Sequence, residues 1–369
     1  MKTSPWRIAA ALSLVAVGVA IFIFIVHNNN AGQRDFISYW AAGQQLVHGR
    51  NPYDRAAITE LERSAGYNLN YSLIMRNPPE ALFLALPLGI TSPNAGLVLW
   101  MLALLASLVA SVRMLWTLHG RPPNRLHLLG YCFAPVMECL MAGQFGLFLL
   151  LGIVLFLYFH RSQPFLAGAA LLLCAAKPHL FLPFGIVLLL WIITRKQYRI
   201  LAGFCVALLA SCTLAFGLDP YAWPQYAGMM RTSGMMQEAI PTLSATLRLL
   251  LDRHALWLQF LPQGTACLWA LWYFRTRRNR WDWMDHGLLL LLVSVMCTPY
   301  GWFTDEAMLL PAVLAGIYRA DDSGRSLVPF GCIAGAAMLE VFTNIPITSA
   351  GYLWTTPAWL GWYLYATGN

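Results

Sequence analysis

The sequence predicts an all-α, polytopic membrane protein, and the prediction depends on composition and on the length of the apolar stretches. Of its 369 residues, 59% are hydrophobic and only 11% are charged, and the mean hydropathy is +0.58. Such a chain has too few polar groups to coat a water-soluble surface. Its apolar stretches are long enough for helices to cross a bilayer, and they lack the alternation of barrel strands, so they are predicted to be helices.

The first apolar stretch, residues 8–26, follows a short basic segment and meets no small-residue cleavage site before the polar run His27–Asn30. It is therefore predicted to be a retained signal anchor. With the segments that follow, about 10–12 spans are expected in a single domain over residues 1–369. The further predicted segments are residues 81–116 (broken around Pro93), 126–142, 145–159, 166–176, 180–193, 201–218, 256–274, 288–298, 308–317, 328–342 and 351–365.

The distribution of Lys and Arg predicts the orientation, because short cytoplasmic connections collect these residues. With the N-terminus in the cytoplasm, the connections around Gly143 and over residues 299–304 and 345–349 lie outside and carry neither Lys nor Arg. Two longer stretches, residues 27–80 and 219–254, then become outer loops. The chain is accordingly predicted to be a multi-pass protein of the plasma (inner) membrane with a cytoplasmic N-terminus.

The net charge of +8 is explained by this topology, so nucleic-acid binding is not predicted. The eight cysteines lie inside or at the ends of apolar segments without the spacing of metal ligands, and no metal site is predicted. The sequence contains no nucleotide-cradling glycine loop and no Walker motif. An enzyme with a nucleotide-linked donor, or an ATP-driven pump, would need such a binding element, so neither is predicted. No cofactor is predicted either.

The first outer loop is the most polar part of the chain, with five arginines and five acids between residues 27 and 80. Apolar residues recur there at helical spacing, which predicts an amphipathic helix lying on the membrane face. These residues are Phe36, Tyr39, Trp40, Gly43, Leu46 and Val47.

Asp35 immediately precedes this predicted helix, and two interpretations of it stay open. An acidic side chain at that position caps free backbone N–H groups and suits the positive end of the helix dipole. Alternatively, the carboxylate is a general base that removes a proton from a hydroxyl nucleophile at the membrane surface. The two roles are compatible with each other.

Two segments of this region carry a resemblance. "RDFISYWAAGQQLVHGRNPYD", followed by "RNPPEALFLALPLGITSPNAGLVLW", resembles the opening of glycosyltransferase family 87. The family has a Tyr-Pro-Pro turn before its second span, and here Asn77 replaces the tyrosine. The family's first motif matches at Asp35, Phe36, Tyr39, Ala41, Ala42, Leu46, Gly49, Pro52, Tyr53 and Asp54.

Three later segments extend the resemblance as far as about Leu310. "MAGQFGLFLLLGIVLFL" is similar to the family's Gly-Gln segment through Gln144, and "LAGAALLLCAAKPHLFL" is similar to its Lys-Pro segment through Lys177. "CTPYGWFTDEAMLLP" resembles the family's Ser-Pro-aromatic segment, with Thr298 for the serine and Asp305 where many members carry a histidine. The remaining C-terminal segment matches only as apolar spans.

The resemblance implies a GT-C-type helical bundle that uses polyprenyl-phosphate sugars as donors. It implies that Asp35 is the base of an inverting transfer on the outer face, with mannose as the hexose favoured by the family. The expected partners are a polyprenyl-phosphate-linked sugar, a lipid or glycan acceptor and membrane lipids. Because the lipid phosphate is itself the leaving group, the reaction needs a base and cations but no nucleotide pocket.

Lys177 is the strongest candidate for the cation that binds the donor phosphate. It is one of only three lysines and lies at the outer end of an otherwise apolar segment, where ionisable groups usually mark function. A lysine that snorkels to the interface is the alternative. Arg34 and Arg76 are candidates for the same phosphate, although exposed arginines near a bilayer also meet lipid headgroups.

Side chains that hydrogen-bond or stack are the candidates for sugar or acceptor binding. Trp302 is followed by Asp305 and Glu306, a combination that suits stacking plus hydrogen bonding, although an interface aromatic explains Trp302 equally well. Glu138 suits sugar hydroxyls, and an interhelical hydrogen bond is its alternative. The complete predicted set is Gln144, Glu138, Trp302, Asp305 and Tyr39.

Two other classes of function stay open. A secondary transporter or a lipid or glycan flippase has broken helices and intramembrane charges of a similar kind, although the candidate charges here gather at the outer ends of spans. A different lipid-linked sugar enzyme, such as a polymer ligase, is the third, and the Asp-Phe-aromatic start argues against it.

Overall fold

The computed structural model describes residues 32, 34–234, 240–346 and 349–368, and these residues are helical without any strand among them. The predicted signal anchor, residues 8–26, lies outside the described residues, as does the polar run that follows it. The α-helices are α1 Phe36–Val47, α2 Arg55–Ser64, α3 Pro93–Leu118, α4 Ala134–Ala142, α5 Gly146–Phe159, α6 Pro164–Ala170, α7 Leu172–Ala175, α8 Leu182–Thr194, α9 Tyr198–Leu218, α10 Ala222–Thr232, α11 Leu243–Leu251, α12 Trp257–Arg277, α13 Leu288–Met296, α14 Leu310–Asp322, α15 Val328–Phe342 and α16 Thr355–Thr367.

Short 3₁₀ segments join several of these helices, and a π-helical turn, Trp283–Gly287, precedes α13. Three of the seven 3₁₀ segments in the described residues begin at or next to a proline, which is tolerated in the first turn of a helix. The 3₁₀ segments are Pro79–Leu84, Leu86–Ile90, Leu126–Cys132, Pro178–Phe181, Arg278–Arg280, Phe303–Leu309 and Ala350–Trp354.

Every predicted span from residue 81 onward is helical in the structure, so the all-α prediction is confirmed for the described residues. The predicted break around Pro93 is also confirmed, because 3₁₀ turns occupy Pro79–Ile90 and α3 begins at Pro93, where the Ser92 hydroxyl accepts from the Ala95 N–H at 3.4 Å. Of the described helices, α3 and α9 are long and apolar enough to cross a membrane, and further apolar helices have 10–17 residues. The number of spans stays a prediction.

The helix predicted in the first outer loop is confirmed as α1, but it is not the half-exposed amphipathic helix that the sequence predicted. Ten of its twelve residues are buried. The 3₁₀ segment Leu86–Ile90 folds back against α1, and α2 and α3 also pack on it. Two side chains of α1 form hydrogen bonds with this segment and the residue after it. The Trp40 indole donates to the Thr91 carbonyl at 3.0 Å, and the Gln44 amide donates to the Gly89 carbonyl at 2.9 Å. The segment predicted to start the next span therefore covers α1 instead.

Two glycines allow this close packing. A Cβ atom on Gly43 would meet the carbonyl oxygen of Ala85, and a Cβ atom on Gly89 would meet the carbonyl oxygen of Gly43, each far inside van der Waals contact. The backbones of α1 and the 3₁₀ turn touch directly, as small residues permit in membrane helix packing. This contact holds α1, and with it Asp35, at a fixed place in the bundle.

Gly43→Ala should destabilise the protein by about 1–3 kcal/mol, because the added methyl group must push two backbones apart. Gly264→Ala is the matched control, since Gly264 lies inside α12 with open space around its Cβ position. There the alanine should be neutral or stabilising by up to ~1 kcal/mol through its higher helix propensity. Thermal unfolding of the detergent-solubilised variants measures both effects, and equal melting temperatures would contradict the direct backbone contact.

Candidate functional site

Asp35 lies directly before α1, but its side chain does not cap that helix. Its carboxylate makes no hydrogen bond to the described backbone N–H groups at the start of α1. Instead, its Oδ2 atom accepts from the Nε2 atom of Gln144 at 2.5 Å, across 109 positions of sequence. The capping interpretation of Asp35 therefore has no support in the geometry, and the carboxylate is held by a tertiary contact.

The turn between α4 and α5 presents Gln144 to Asp35. Gly143 ends α4 in the left-handed region, with φ of 68°, which glycine adopts without strain. Its carbonyl accepts from the Trp100 indole at 2.8 Å, which anchors the turn to α3. The Oε1 atom of Gln144 accepts from the Tyr39 hydroxyl at 3.0 Å. Both ends of the Gln144 amide are thus used to orient Asp35 and Tyr39, and the predicted contact of Gln144 with a sugar stays a prediction.

Lys177 and Asp305 form a buried ion pair. The Nζ atom of Lys177 donates to the Oδ1 atom of Asp305 at 2.6 Å, and the side chains are only 11% and 1% exposed. Asp305 is held in turn because its Oδ2 atom accepts from the Trp302 N–H at 3.1 Å. Lys177 follows α7 and precedes Pro178, which starts a 3₁₀ turn, so the chain changes direction at the lysine. The alternative interpretation, a lysine that snorkels to the interface, is therefore not what the structure shows, because Lys177 is paired inside the protein.

Asp35 and the Lys177–Asp305 pair lie close enough to affect each other electrostatically. Burial raises the pKa of the Asp35 carboxyl above its usual value, and the hydrogen bond from Gln144 and the positive charge of Lys177 oppose that rise without cancelling it. Tyr39 lies in the field of both Asp35 and Asp305. The structure therefore gathers Asp35, Tyr39, Gln144, Lys177 and Asp305 into one site, and the roles predicted for them stay predictions.

Arg76 joins this site through Tyr300, a residue to which the sequence analysis gave no role. The Nη1 atom of Arg76 donates to the Tyr300 hydroxyl at 2.9 Å. The Tyr300 ring makes edge contacts with Trp302 and His179, at centroid distances of 5.3 and 5.8 Å. Burial and the nearby Lys177 charge lower the pKa of His179 to about 4, so its ring is neutral at pH 7. In the sequence, only its place in the same segment as Trp302 could have indicated a role for Tyr300.

Arg34 and Glu138 occupy other positions around Asp35. Arg34 is buried, with its Nη1 atom 3.4 Å from the Leu140 carbonyl and 3.9 Å from the Met101 sulfur, and burial lowers its pKa to about 10. Glu138 lies on α4 within electrostatic range of Asp35. Their predicted contacts with phosphate and sugar stay predictions.

A further buried carboxylate, that of Glu62, was not predicted from the sequence. It lies on α2, is fully buried, and accepts from the Leu73 N–H at 3.2 Å. Burial raises its pKa to about 8, and the charge of Asp35 contributes in the same direction. Nothing in its sequence neighbourhood distinguishes it from the exposed acids of the same loop.

A small cavity adjoins the ion pair. It is lined by residues that directly precede α11, by the end of α13 and the segment that follows it, and by α16, among them Thr242, Thr298, Trp302, Asp305, Glu306 and Thr356. Within the described part of the chain, no three His, Cys, Asp or Glu side chains are grouped so that they could hold a metal ion. The site therefore offers carboxylates, a lysine, hydroxyl groups and an indole.

The fold and the site define a helical protein with a carboxylate and a cation held close together, which is a composition suited to group transfer. A family model, that of glycosyltransferase family 87, matches residues 76–299, which is more than half of the chain. The chain therefore belongs to glycosyltransferase family 87, as the resemblance in its sequence indicated. Comparisons with curated proteins and with solved structures found no match.

Family membership makes the protein a glycosyltransferase, whose reaction requires a sugar donor and an acceptor, and the members of this family are membrane proteins. It favours group transfer over the transporter and flippase alternatives. The matched range contains Arg76, Gln144 and Lys177, whereas Asp35 and Asp305 lie outside it. The roles of those two residues depend on the geometry of this chain.

The buried ion pair between Lys177 and Asp305 leads to a prediction about stability. Lys177→Met and Asp305→Asn should each destabilise the protein by about 3–5 kcal/mol, because each leaves an uncompensated buried charge. The double variant should be more stable than the sum of the two single effects predicts, since neither charge remains. The exposed pair Arg161–Asp282 provides the control, because the Arg161 side chain is 75% exposed. Arg161→Met should lower the free energy of unfolding by less than about 1 kcal/mol. Additive effects in a double-mutant cycle of thermal unfolding would argue against the pairing.

Proposed function

We propose that the protein transfers a hexose, with mannose the expected one, from a polyprenyl-phosphate donor to a hydroxyl group of a lipid or glycan acceptor. The transfer takes place on the outer face of the plasma membrane, inverts the anomeric centre and uses Asp35 as the general base. The observation that carries the proposal is the Asp35 carboxylate, which is held by Gln144 in the electrostatic field of Lys177. Membership of glycosyltransferase family 87 supplies the class of reaction.

The proposed chemistry is a single displacement. Asp35 removes the proton of the acceptor hydroxyl, the hydroxyl oxygen bonds to the anomeric carbon, and the bond from that carbon to the phosphate oxygen breaks. The electron pair leaves with the polyprenyl phosphate, and attack opposite the leaving group inverts the centre. A raised pKa makes Asp35 a stronger base than an ordinary aspartate, which favours proton removal.

Negative charge accumulates on the departing phosphate, and the cations nearest the base are suited to stabilise it. The ammonium group of Lys177 has three N–H donors, and Asp305 accepts one of them. The remaining donors are available for a phosphate oxygen, so Asp305 acts on the donor through Lys177 as a positioning residue. Arg76, held at Tyr300, and Arg34 are the further cations of the proposal. No cofactor enters it, because the donor brings its own leaving group.

Asp35→Asn tests the base directly. Asparagine keeps the size of the side chain and an oxygen that accepts from Gln144, so thermal stability should stay within about 1 kcal/mol of wild type. It is too weak a base to take the acceptor proton, so transfer of radiolabelled sugar from a polyprenyl-phosphate donor in membranes should fall by about 10²–10⁴-fold.

Asp54→Asn is the matched control in the same loop. Asp54 caps α2 by accepting from the Ala56 and Ala57 N–H groups at 2.9 and 3.2 Å, and asparagine caps almost as well. This variant should keep near wild-type transfer. A well-folded Asp35→Asn protein with wild-type turnover would remove Asp35 from the role of base.

The proposed outer position of Asp35 is tested by labelling single cysteines placed in a cysteine-free background. Asn68 lies in the first outer loop and Asn279 in the Arg275–Arg280 cluster, and both side chains are exposed. A membrane-impermeant maleimide added to intact cells should label Asn68→Cys and leave Asn279→Cys unmodified until the membrane is opened. Labelling with the opposite preference would reverse the topology and move the transfer to the cytoplasmic face.

A further inference from the structure

We propose that an anionic phospholipid binds along α9, with its headgroup at a cluster of basic side chains where the helix begins and an acyl chain in an apolar groove farther along it. This lipid is a bound component of the membrane and takes no part in the transfer, so the inference goes beyond the proposed function. The cluster is called the basic end below, and its members are all exposed: Arg161, Arg195, Lys196, Arg199, Arg275, Arg277, Arg278 and Arg280.

Three segments of the chain meet at the basic end. Arg195 lies at the turn between α8 and α9, and its Nη2 atom donates to the carbonyl oxygens of Arg278 and Asn279 at 2.8 and 3.1 Å. These two bonds join the turn to the residues that follow α12. Arg161, which follows α5, pairs at 2.5 Å with Asp282, a few residues further along the same segment. Residues that are far apart in sequence therefore form one basic surface.

The charge of the basic end is largely uncompensated. Of its eight cations, Arg161 alone forms an ion pair with another described residue. The next acid along the chain, Asp285, pairs with Arg319 instead. The two acceptors of Arg195 are neutral carbonyl groups. Positive side chains crowded on one surface repel each other, and an anion that binds among them relieves this repulsion.

Exposed aromatic rings place the basic end at the level of lipid headgroups. Tyr198 and Trp272 are 54% and 58% exposed, and each lies within a few residues of a cation of the basic end. Exposed aromatic rings beside arginine and lysine are typical of the boundary between membrane and water. In addition, α9 is one of the described helices long and apolar enough to cross a membrane. In the predicted topology this end faces the cytoplasm, so the lipid belongs to the inner leaflet.

An apolar groove of about 820 Å³ lies along the exposed side of α9. The groove is open, because a Cβ atom on Gly217 would meet nothing within 4 Å. Small residues alternate there with larger apolar ones, which leaves room for a hydrocarbon chain. The lining includes Val206, Leu209, Ala210, Thr213, Leu214 and Gly217.

The groove and the basic end lie on the same side of α9. Val206, Ala210 and Gly217 follow Arg199 by 7, 11 and 18 residues. At 3.6 residues per turn, all three lie within about 20° of Arg199 around the helix axis. At about 1.5 Å per residue, the groove begins about 10 Å along the helix from Arg199. A phospholipid whose phosphate binds at Arg199 therefore directs an acyl chain into the groove.

The two features together select the chemistry of the occupant. Arginine binds phosphate oxygens through paired N–H groups, and basic residues at a membrane surface attract anionic lipids. A zwitterionic lipid brings a cation of its own, which the basic end repels. Free phosphate would leave the groove empty. A second copy of this chain in the same orientation, or its own apolar segment at residues 8–26 after Lys2 and Arg7, would add further cations to this end.

The test measures lipid binding to the purified full-length protein in a nonionic detergent, by native mass spectrometry and thermal unfolding. Dioleoyl phosphatidylglycerol should bind about tenfold more tightly than dioleoyl phosphatidylcholine, because the two lipids share their acyl chains and differ in headgroup charge. The double variant Lys196→Gln/Arg199→Gln should abolish this preference, since each cation contributes about fivefold. Gly217→Leu should weaken the binding of both lipids alike, because the added side chain fills the groove.

Arg55→Gln/Arg63→Gln is the matched control, because both arginines are exposed on α2, which contributes nothing to the basic end. Its lipid binding should equal that of wild type. If the double variant at the basic end fails to fold, Arg199→Gln alone decides, with an expected loss of about fivefold in the preference.

Equal affinities of wild type for the two lipids, or a folded double variant that keeps the preference, would overturn the basic end as a headgroup site. Inorganic phosphate that stabilises the protein as much as phosphatidylglycerol does would overturn the lipid as the ligand. A dimer that Gly217→Leu dissociates would show that a second copy fills the groove, and would overturn the proposal in the same way. These measurements follow binding and stability, so their outcome is independent of the proposed transfer.

Discussion

The ion pair between Lys177 and Asp305 is the interaction on which the arrangement of the site depends. It joins the bend after α7 to the segment after α13 across 128 positions of sequence, and both partners are shielded from solvent. A buried ion pair is costly to desolvate and is a weak source of stability. Its value here is positional, because it fixes a cation near Asp35 while Asp305 compensates its charge. The phosphate of the proposed donor would meet a lysine that is already ordered.

The second constraint is the contact of backbone with backbone at Gly43 and Gly89. It draws α1 into the bundle and so takes Asp35 out of the polar loop that precedes it. Burial then raises the pKa of the carboxyl, and Gln144 sets its direction. Packing and acid–base chemistry are linked at this point, because the same contact that buries the helix makes its leading carboxylate more basic.

The family match and the geometry divide the site into two halves. Arg76, Gln144 and Lys177 lie in the range that the family model covers, and they are the groups proposed to hold the phosphate and orient the base. Asp35 lies before this range and Asp305 after it, so the proposed base and the carboxylate that pairs with Lys177 come from parts of the chain outside the match.

Composition and hydrophobic pattern by themselves determined the helical class, the order of the helices, the break at Pro93 and the helix that follows Asp35. These depend on local spacing and on single residues such as proline, which act wherever they stand in the chain. The motif residues Asp35, Gln144 and Lys177 were also recognisable from sequence. Only the tertiary structure decided that α1 is buried, that Asp35 bonds Gln144 instead of capping its helix, and that Lys177 pairs with Asp305. Each of these contacts joins residues that lie tens of positions or more apart, and the pattern along one segment carries no information about which distant segment packs against it.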